Sequence, residues 1–228
     1  MIGAPRSGTT LLAAMIGCHS EVGMINEDIT GRGLRQVLGR RVTGNKLCVP
    51  NQIQLQRRGH PTLRLLKKFG IVAEAPRSKY SIKDYLELPN LKVIAIVRDG
   101  NDSISSMVSR GRSALKKAIR RWSRAIETIY ELKETHAERV LVVAFEDLVL
   151  DPLVTMRTVC RFLGLAFQPL MLDGHKYNAY YPQPKLNEEK AYRHKRENID
   201  LGLAERLPQV WQRYQELLRY AQETKDQP

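Results

Sequence analysis

Apolar segments alternate along this chain with polar turns in a way that predicts strands and helices in succession. Two continuous apolar runs, residues 91–97 and 139–145, are rich in β-branched side chains and bounded by polar segments, as fully buried strands are. Shorter runs at residues 1–3, 22–25 and 42–46 predict three further strands, the first of them very short. Strands that alternate with helices imply an α/β fold, in which a parallel sheet is flanked by helices on both faces.

Helices are predicted where apolar residues recur at intervals of three or four. The longest covers residues 113–135 and the last covers residues 208–224, each with one apolar stripe. Asp151-Pro152 predicts the start of another helix and Gly164 its end, because aspartate caps a first turn, proline fits its first position and glycine follows its last. The remaining predicted helices span residues 9–18, 31–41, 62–69, 78–88 and 102–110.

Composition limits the domain count and the class of partner. The chain has 228 residues, 43% of them hydrophobic, which supports a single domain over residues 1–228 with a flexible loop at residues 173–200. A formal net charge of +13 favours an anionic partner such as nucleic acid, a membrane surface or a phosphorylated or sulfated small molecule. The three cysteines form no CxxC pattern, which favours a reducing compartment, the cytoplasm. No apolar run is long enough to span a bilayer, and the amino terminus lacks a signal-peptide pattern.

The loop between the first predicted strand and the first helix has the sequence GAPRSGTT, residues 3–10. A phosphate loop belongs at such a junction, because backbone N–H groups and the helix N-terminus both attract an anion there. Arg6 adds a permanent cation, while Thr9 and Thr10 add hydroxyl donors. The glycine spacing matches the nucleotide-triphosphate motif GxxxxGK[ST], but Thr9 stands where the lysine should be, which argues against an ATPase or a kinase.

A second anion-binding element is predicted at the end of the strand over residues 91–97. Arg98 follows this strand directly, and the carboxyl ends of parallel strands are the usual ligand edge of such a sheet. Ser106 and Arg110 lie on the next helix, four residues apart and hence on one face. The two elements together indicate a ligand with two anionic groups more strongly than either does alone.

The string PRSGTT, followed downstream by IVRDGNDSISSMVSR, VVAFEDLVLDP and TMRTVCRFLGL, resembles the sulfotransferases that use 3′-phosphoadenosine 5′-phosphosulfate (PAPS), closest to the protein-tyrosine sulfotransferase branch and its bacterial relatives. The resemblance implies a P-loop-like fold, PAPS as co-substrate without a metal, and transfer to a hydroxyl of a peptide tyrosine, a carbohydrate or a small phenol or alcohol. It implies that Arg98 and Ser106 hold the 3′-phosphate, with Arg110 one turn further, and that Phe145 replaces the usual tyrosine near adenine. It assigns the 5′-phosphosulfate to Arg6, Ser7, Gly8, Thr9 and Thr10.

The resemblance also implies a general base and a cation at the leaving oxygen. Glu27 lies 21 residues after Arg6, the spacing at which the protein-tyrosine branch carries its base, and Asp28 is the alternative. Arg6 and Lys46 are the candidate cations, although another alignment uses residues 74–77, where the lysine is missing. In relatives a flexible basic segment closes over the 3′-phosphate or the acceptor, and residues 193–196 are either this segment or a solvated run of charge.

Two other functions compete with a sulfotransferase. A nucleotide kinase-like phosphotransferase would explain the loop topology, but the loop lysine and the magnesium ligands are missing. A nucleic-acid-binding module would explain the charge, but no aromatic-basic ribbon or docking motif accompanies it. We therefore expect PAPS and a hydroxyl acceptor, for which an anionic compound is one choice, rather than nucleic acid. The oligomeric state is left open, with a homodimer as one alternative.

Overall fold

Five parallel strands form one sheet in the computed structural model of this chain, which describes residues 1–30, 32–37, 39–56, 80–111, 113–178, 182 and 185–225. Their order across the sheet is β2-β3-β1-β4-β5, and every neighbouring pair is parallel. The predicted parallel sheet is therefore confirmed. In chain order the strands are β1 (Ile2–Gly3), β2 (Val22–Asn26), β3 (Val42–Cys48), β4 (Val93–Val97) and β5 (Val140–Ala144).

Helices connect the strands and cover both faces of the sheet. The described α-helices are α1 (Thr9–Gly17), α2 (Ile82–Leu86), α3 (Gly100–Ser109), α4 (Leu115–Thr135), α5 (Phe145–Leu150), α6 (Pro152–Leu163), α7 (Arg193–Arg196), α8 (Leu203–Arg206) and α9 (Pro208–Lys225). Short 3₁₀ turns occur at Arg32–Val37, Ala137–Arg139, Pro169–Asp173 and Glu188–Lys190. Among the described residues, no helix is both long and apolar enough to cross a membrane.

The strand β4 shows why its sequence is continuously apolar. Val93, Ala95 and Val97 face a core shared with α4 and α9, whereas Ile94 and Ile96 face a second core shared with α1 and α6. Successive side chains of a strand point to opposite faces, so a strand covered on both sides must be apolar at every position. All five residues of β4 are buried, as are all five of β5.

Local capping decides where the helices begin and end. The aspartate side chain of Asp151 accepts a hydrogen bond from the Val154 amide at 3.4 Å, and Gly164 ends α6 with a φ of 73°, both as predicted. The helix α3 begins two residues earlier than expected, because Asp99 accepts from the Asn101 amide at 2.8 Å and caps it. Likewise Ser81 caps α2, which is shorter than the helix predicted over residues 78–88.

Several predicted segments differ from the structure. Residues 31–41 contain a 3₁₀ turn rather than a full helix, and the segment 173–200, predicted as loop, contains short turns and α7. The helix α5 was not predicted, because its six residues complete no amphipathic stripe of their own. The predicted helix over residues 62–69 lies outside the described residues.

The strand order places a cleft at the phosphate loop. From β1 the chain passes through α1 to β2 at one edge of the sheet, whereas from β4 it continues to β5 at the other edge. The connections after β1 and β4 thus diverge, and a crevice opens between the carboxyl ends of these two neighbours. Ligands of open parallel sheets bind at such points. The loop after Gly3 and the residue Arg98 after β4 both lie at this crevice.

Candidate nucleotide and transfer site

The loop from Ala4 to Gly8 turns sharply, and its own backbone fixes its shape. Arg6 and Gly8 adopt left-handed φ angles of 70° and 93°, and both the amide and the hydroxyl of Ser7 donate to the Ala4 carbonyl. A Cβ on Gly8 would lie 2.4 Å from Cδ2 of Phe145, so only glycine fits there. The hydroxyl hydrogen of Ser7 is thus used inside the loop, and the loop directs Arg6 and the first turn of α1 into the crevice.

Arg98 links the loop to the second anion-binding element. Its Nη1 donates to the Arg6 carbonyl at 3.2 Å, and its guanidinium lies 4.2 Å above the ring centroid of Phe145. Arg6 in turn donates from Nε to the Ser106 hydroxyl at 3.1 Å. Burial lowers the pKa of the Arg98 guanidinium, while nearby carboxylates oppose that shift. The two elements predicted from separate parts of the sequence therefore form one connected site.

Cations converge on a cavity of about 160 Å³ at this site. Arg6, Arg98, Arg110 and Lys190 line it, together with Gly8, Thr9, Thr10 and Phe145. Burial lowers the pKa of Lys190, and the charges of Arg6, Arg98 and Arg110 lower it further. No carboxylate is among the described residues that line the cavity. Because four cations repel one another there, the cavity suits an anion that neutralises them.

Lys190 was missed by the sequence analysis, because a lone lysine in a polar segment resembles any solvated charge. His175, Asn178 and Asn187, which also line the cavity, carry no stronger sequence signal.

Phe145 is almost fully buried, with 4% of its surface exposed, so its ring supports Arg98 and Gly8. Stacking of a base on Phe145 stays a prediction.

Glu27 and Lys46 form an ion pair at the carboxyl end of the neighbouring strands. Glu27 directly follows β2, its φ is 59°, and its amide donates to the Lys46 carbonyl at 2.8 Å. The Lys46 ammonium lies 2.5 Å from Glu27 Oε1, with the lysine side chain 1% exposed and the glutamate side chain 37% exposed. Burial alone would raise the pKa of Glu27, but the hydrogen bond and charge of Lys46, aided by Gln52, lower it overall. Glu27 is thus an ionised carboxylate open to one side.

Asp28, the alternative base, has a different environment. Its carboxylate accepts from the Thr30 amide and hydroxyl at 2.8 and 2.7 Å and from the Gly33 amide at 2.7 Å. These bonds commit the side chain to the turn that follows β2. The alternative alignment over residues 74–77 lies outside the described residues.

The thiol of Cys48 marks where the ion pair meets the phosphate loop. It lies 3.9 Å from the Thr9 hydroxyl. Burial raises the pKa of this thiol, and the charges of Lys46, Glu27 and Arg6 all act on it. The charges of the predicted base and of both predicted cations are therefore felt at Cys48, whereas only Arg6 of the three lines the cavity. Nothing in the sequence pattern singled out Cys48.

The basic run over residues 193–196 forms α7, next to the start of α3. His194 donates from its amide to Asp102 Oδ1 at 2.7 Å, and its Nδ1 lies 3.2 Å from Asp102 Oδ2.

Behind Arg98, the buried carboxyl of Glu146 accepts from the Asp99 amide at 3.3 Å. Burial raises the pKa of Glu146 to about 7. Among the described residues, no group of three or more histidines, cysteines and carboxylates is arranged to hold a metal ion.

Sequence comparison agrees with the motifs. The model of the sulfotransferase family matches residues 76–169. Protein-tyrosine sulfotransferase 1 of Danio rerio is 30% identical over 190 residues, which cover 75% of this chain and 54% of that protein. Protein-tyrosine sulfotransferase 2 of Gallus gallus is 29% identical over 194 residues, covering 75% of this chain and 52% of that protein. The chain thus spans about half the length of the curated relatives it matches.

Solved structures share the fold at low sequence identity. The sulfotransferase domain of the Synechococcus PCC 7002 olefin synthase superposes with a TM-score of 0.62 at 18% identity, covering 95% of this chain and 92% of that domain. Mouse sulfotransferase SULT7A1, solved in complex with PAP, superposes with a TM-score of 0.57 at 14% identity, covering 97% of this chain and 87% of that one. The resemblance to sulfotransferases and the predicted P-loop-like fold are both confirmed.

Proposed function

We propose that this chain, whose motifs and fold are those of the sulfotransferase family, transfers a sulfuryl group from PAPS to an acceptor hydroxyl. The observation that carries the proposal is the convergence of Arg6, Arg98, Arg110 and Lys190 on one cavity beside the phosphate loop. PAPS presents a phosphosulfate at one end of its ribose and a phosphate at the 3′ position. A site with cations from two separate strand ends matches that pair of anions.

The loop serves the 5′ end. The first turn of α1 presents backbone N–H groups and the hydroxyls of Thr9 and Thr10, and Arg6 adds positive charge. Ser7 and Gly8 act through the loop's shape, since the Ser7 hydroxyl bonds to Ala4 and Gly8 packs on Phe145. With Thr9 in the lysine position of a triphosphate loop, the charge that would meet a terminal phosphate is absent at this position.

Arg98, Ser106 and Arg110 serve the 3′-phosphate, and Lys190 joins them. Arg98 is held from behind by Phe145 and by the Arg6 carbonyl, so its guanidinium is fixed before a ligand arrives. Ser106 accepts a hydrogen bond from Arg6. Arg110, the residue that follows α3, lines the cavity. Fixed donors lose little conformational entropy on binding, which favours affinity.

Glu27 acts as the general base and Lys46 with Arg6 as the cations at the leaving oxygen. In the transfer, the acceptor oxygen forms a bond to sulfur while the bond from sulfur to the bridging phosphate oxygen breaks, and Glu27 takes the acceptor's proton. Lys46 keeps Glu27 ionised beforehand through their 2.5 Å contact. Once Glu27 is protonated, the charge of Lys46 loses its carboxylate partner and is available to the departing phosphate, so the two events support each other.

The acceptor class follows from the relatives only as a proposal. The proteins with the highest identity named above are protein-tyrosine sulfotransferases, so peptide tyrosine is the first acceptor to test, followed by carbohydrates and small phenols or alcohols.

The cysteines Cys18, Cys48 and Cys160 are all free thiols, which fits the proposed reducing, cytoplasmic location.

Metal-free binding and transfer assays test the function together. We expect adenosine 3′,5′-bisphosphate to bind and raise the melting temperature without magnesium, and labelled PAPS to yield a labelled product on at least one acceptor of a mixed panel. Binding of ATP that requires magnesium, with no response to the bisphosphate, would instead identify a phosphotransferase. Salt-sensitive binding of nucleic acid without any nucleotide response would favour the nucleic-acid module.

A further inference from the structure

The segment of residues 187–197 is held to the start of α3 by part-buried polar contacts. Two of them join His194 to Asp102, from the histidine amide at 2.7 Å and from Nδ1 at 3.2 Å. Asp99 Oδ1 lies 3.5 Å from the same Nδ1. A carboxylate oxygen accepts hydrogen bonds, so we assign the hydrogen of this contact to Nδ1. The segment therefore depends on a particular atom of His194 and not merely on its bulk.

Asp102 contacts both Arg98 and His194. Its side chain is completely buried, and its Oδ2 lies 3.8 Å from Nη2 of Arg98. That same Nη2 donates to the Lys190 carbonyl at 2.7 Å. One buried carboxylate thus lies between Arg98 and His194, while Arg98 itself holds the backbone of Lys190.

Lys190 needs such support because its neighbours repel it. Burial and the charges of Arg6, Arg98 and Arg110 all disfavour its ammonium group. No carboxylate among the described lining residues offsets that repulsion inside the cavity. The compensating negative charges lie behind Arg98, in Asp99 and Asp102, and they reach the segment through His194.

We propose that Asp102 and His194 are positioning residues that hold Arg98 and Lys190 ready for the 3′-phosphate of the nucleotide. The inference rests on the proposed function and adds to it the residues that determine preference for a 3′-phosphorylated nucleotide. The contact touches no reacting atom, so it governs nucleotide affinity and KM rather than the chemical step.

Two substitutions at His194 separate positioning from packing. His194→Asn places an amide nitrogen where Nδ1 lies and keeps the bond to Asp102, whereas His194→Gln moves the nitrogen to the far side of the ring position. We expect His194→Gln to weaken adenosine 3′,5′-bisphosphate about tenfold, the value of one charge-assisted hydrogen bond. Adenosine 5′-phosphate should lose less than about twofold, and His194→Asn should restore most of the affinity. Glu197→Gln, which removes only the exposed pair with Arg193, is the matched control.

A double-mutant cycle tests whether the effect passes through Lys190. Affinity for the bisphosphate is measured by calorimetry without metal in the unmodified chain, His194→Gln, Lys190→Met and the double variant. If His194 acts by positioning Lys190, His194→Gln should cost less than about twofold in the Lys190→Met background. The same tenfold loss in both backgrounds, or equal losses for His194→Gln and His194→Asn, would overturn the inference.

Hydrogen exchange without nucleotide separates this inference from the proposed function. His194→Gln should raise exchange of the amides of residues 188–197 while His194→Asn leaves it near that of the unmodified chain. If the unmodified chain binds the bisphosphate but His194→Gln binds it equally well, only the positioning role fails. If the unmodified chain binds neither nucleotide, the proposed function fails and the role in recognition fails with it. Should His194→Gln not fold by circular dichroism, Asp102→Asn replaces it in the same cycle.

Discussion

Replacing Glu27 by glutamine removes the proposed base with little change of shape. The acceptor hydroxyl must lose a proton as its oxygen bonds to sulfur, and positioned bases contribute roughly a hundredfold to ten-thousandfold to rate. Glu27 is ionised and partly open, whereas its neighbour Asp28 is committed to the turn at residues 28–33. We therefore expect turnover on an alcohol to fall at least about a hundredfold, with affinity for the bisphosphate nearly unchanged.

The same substitution has a stability cost that can be bounded. Lys46 is 1% exposed and would keep a hydrogen bond but lose its counter-charge. Breaking a fully buried ion pair costs about 3–5 kcal/mol, and because 37% of the Glu27 side chain is exposed we expect about 1–2 kcal/mol. The variant should therefore remain folded, so a loss of activity can be attributed to the missing base.

Assays with labelled PAPS on an alcohol and on an acidic phenol, at several pH values, check this reasoning. The deficit should shrink for the phenol, which needs less help in losing its proton. The pKa of Glu27 is lowered, so the deprotonated, active form should persist as the pH falls below the ordinary carboxyl range of about 4.3, and the activity loss at acid pH should be absent from Glu27→Gln. Asp28→Asn serves as control. Full activity of Glu27→Gln on the alcohol would refute the assignment, and a large loss in Asp28→Asn would transfer the role to Asp28.

Three further predictions concern residues outside the base. Arg98→Ala should weaken adenosine 3′,5′-bisphosphate at least about tenfold more than adenosine 5′-phosphate in calorimetry, and equal losses would contradict its place at the 3′-phosphate. Lys46→Ala should lower turnover more than nucleotide affinity in steady-state assays, and near-normal turnover would move attention to residues 74–77. Glu146, whose folded pKa is raised to about 7, favours the folded state when protonated, so that stability is present below about pH 4 and is lost as pH rises through 7. Glu146→Gln should therefore unfold in urea with a free energy roughly 2–3 kcal/mol higher than the unmodified chain at pH 8, and an unchanged difference between pH 5 and pH 8 would refute the shift.

The sequence alone predicted the buried strands and a phosphate-type loop because both are local patterns. A strand buried on both faces must be apolar at every position, so β4 and β5 stand out as continuous runs. Capping chemistry is equally local, which is why Asp151 and Gly164 marked α6 correctly. The order of glycines and the arginine in the loop carried enough chemistry to predict a resemblance to sulfotransferases.

Segments whose structure depends on contacts with residues distant in sequence were not predicted. The helix α5 has six residues and is fixed by packing of Phe145 and Leu148 into the core, and α7 is held by a carboxylate 92 residues away. The local spacing of apolar residues does not depend on such contacts. The short turns within residues 173–200 could therefore not be predicted from that spacing.

Tertiary structure also decided how the site residues act on one another. The resemblance implied Glu27 by its spacing from Arg6 and Lys46 by its local segment, each separately. Only the parallel pairing of β2 with β3 brings their side chains to 2.5 Å. Lys190 is an ordinary lysine in the sequence, and it becomes part of the candidate site because Arg98 holds its carbonyl. Pairing register and long-range hydrogen bonds are properties of the folded sheet edge, where residues distant in sequence share one electrostatic environment.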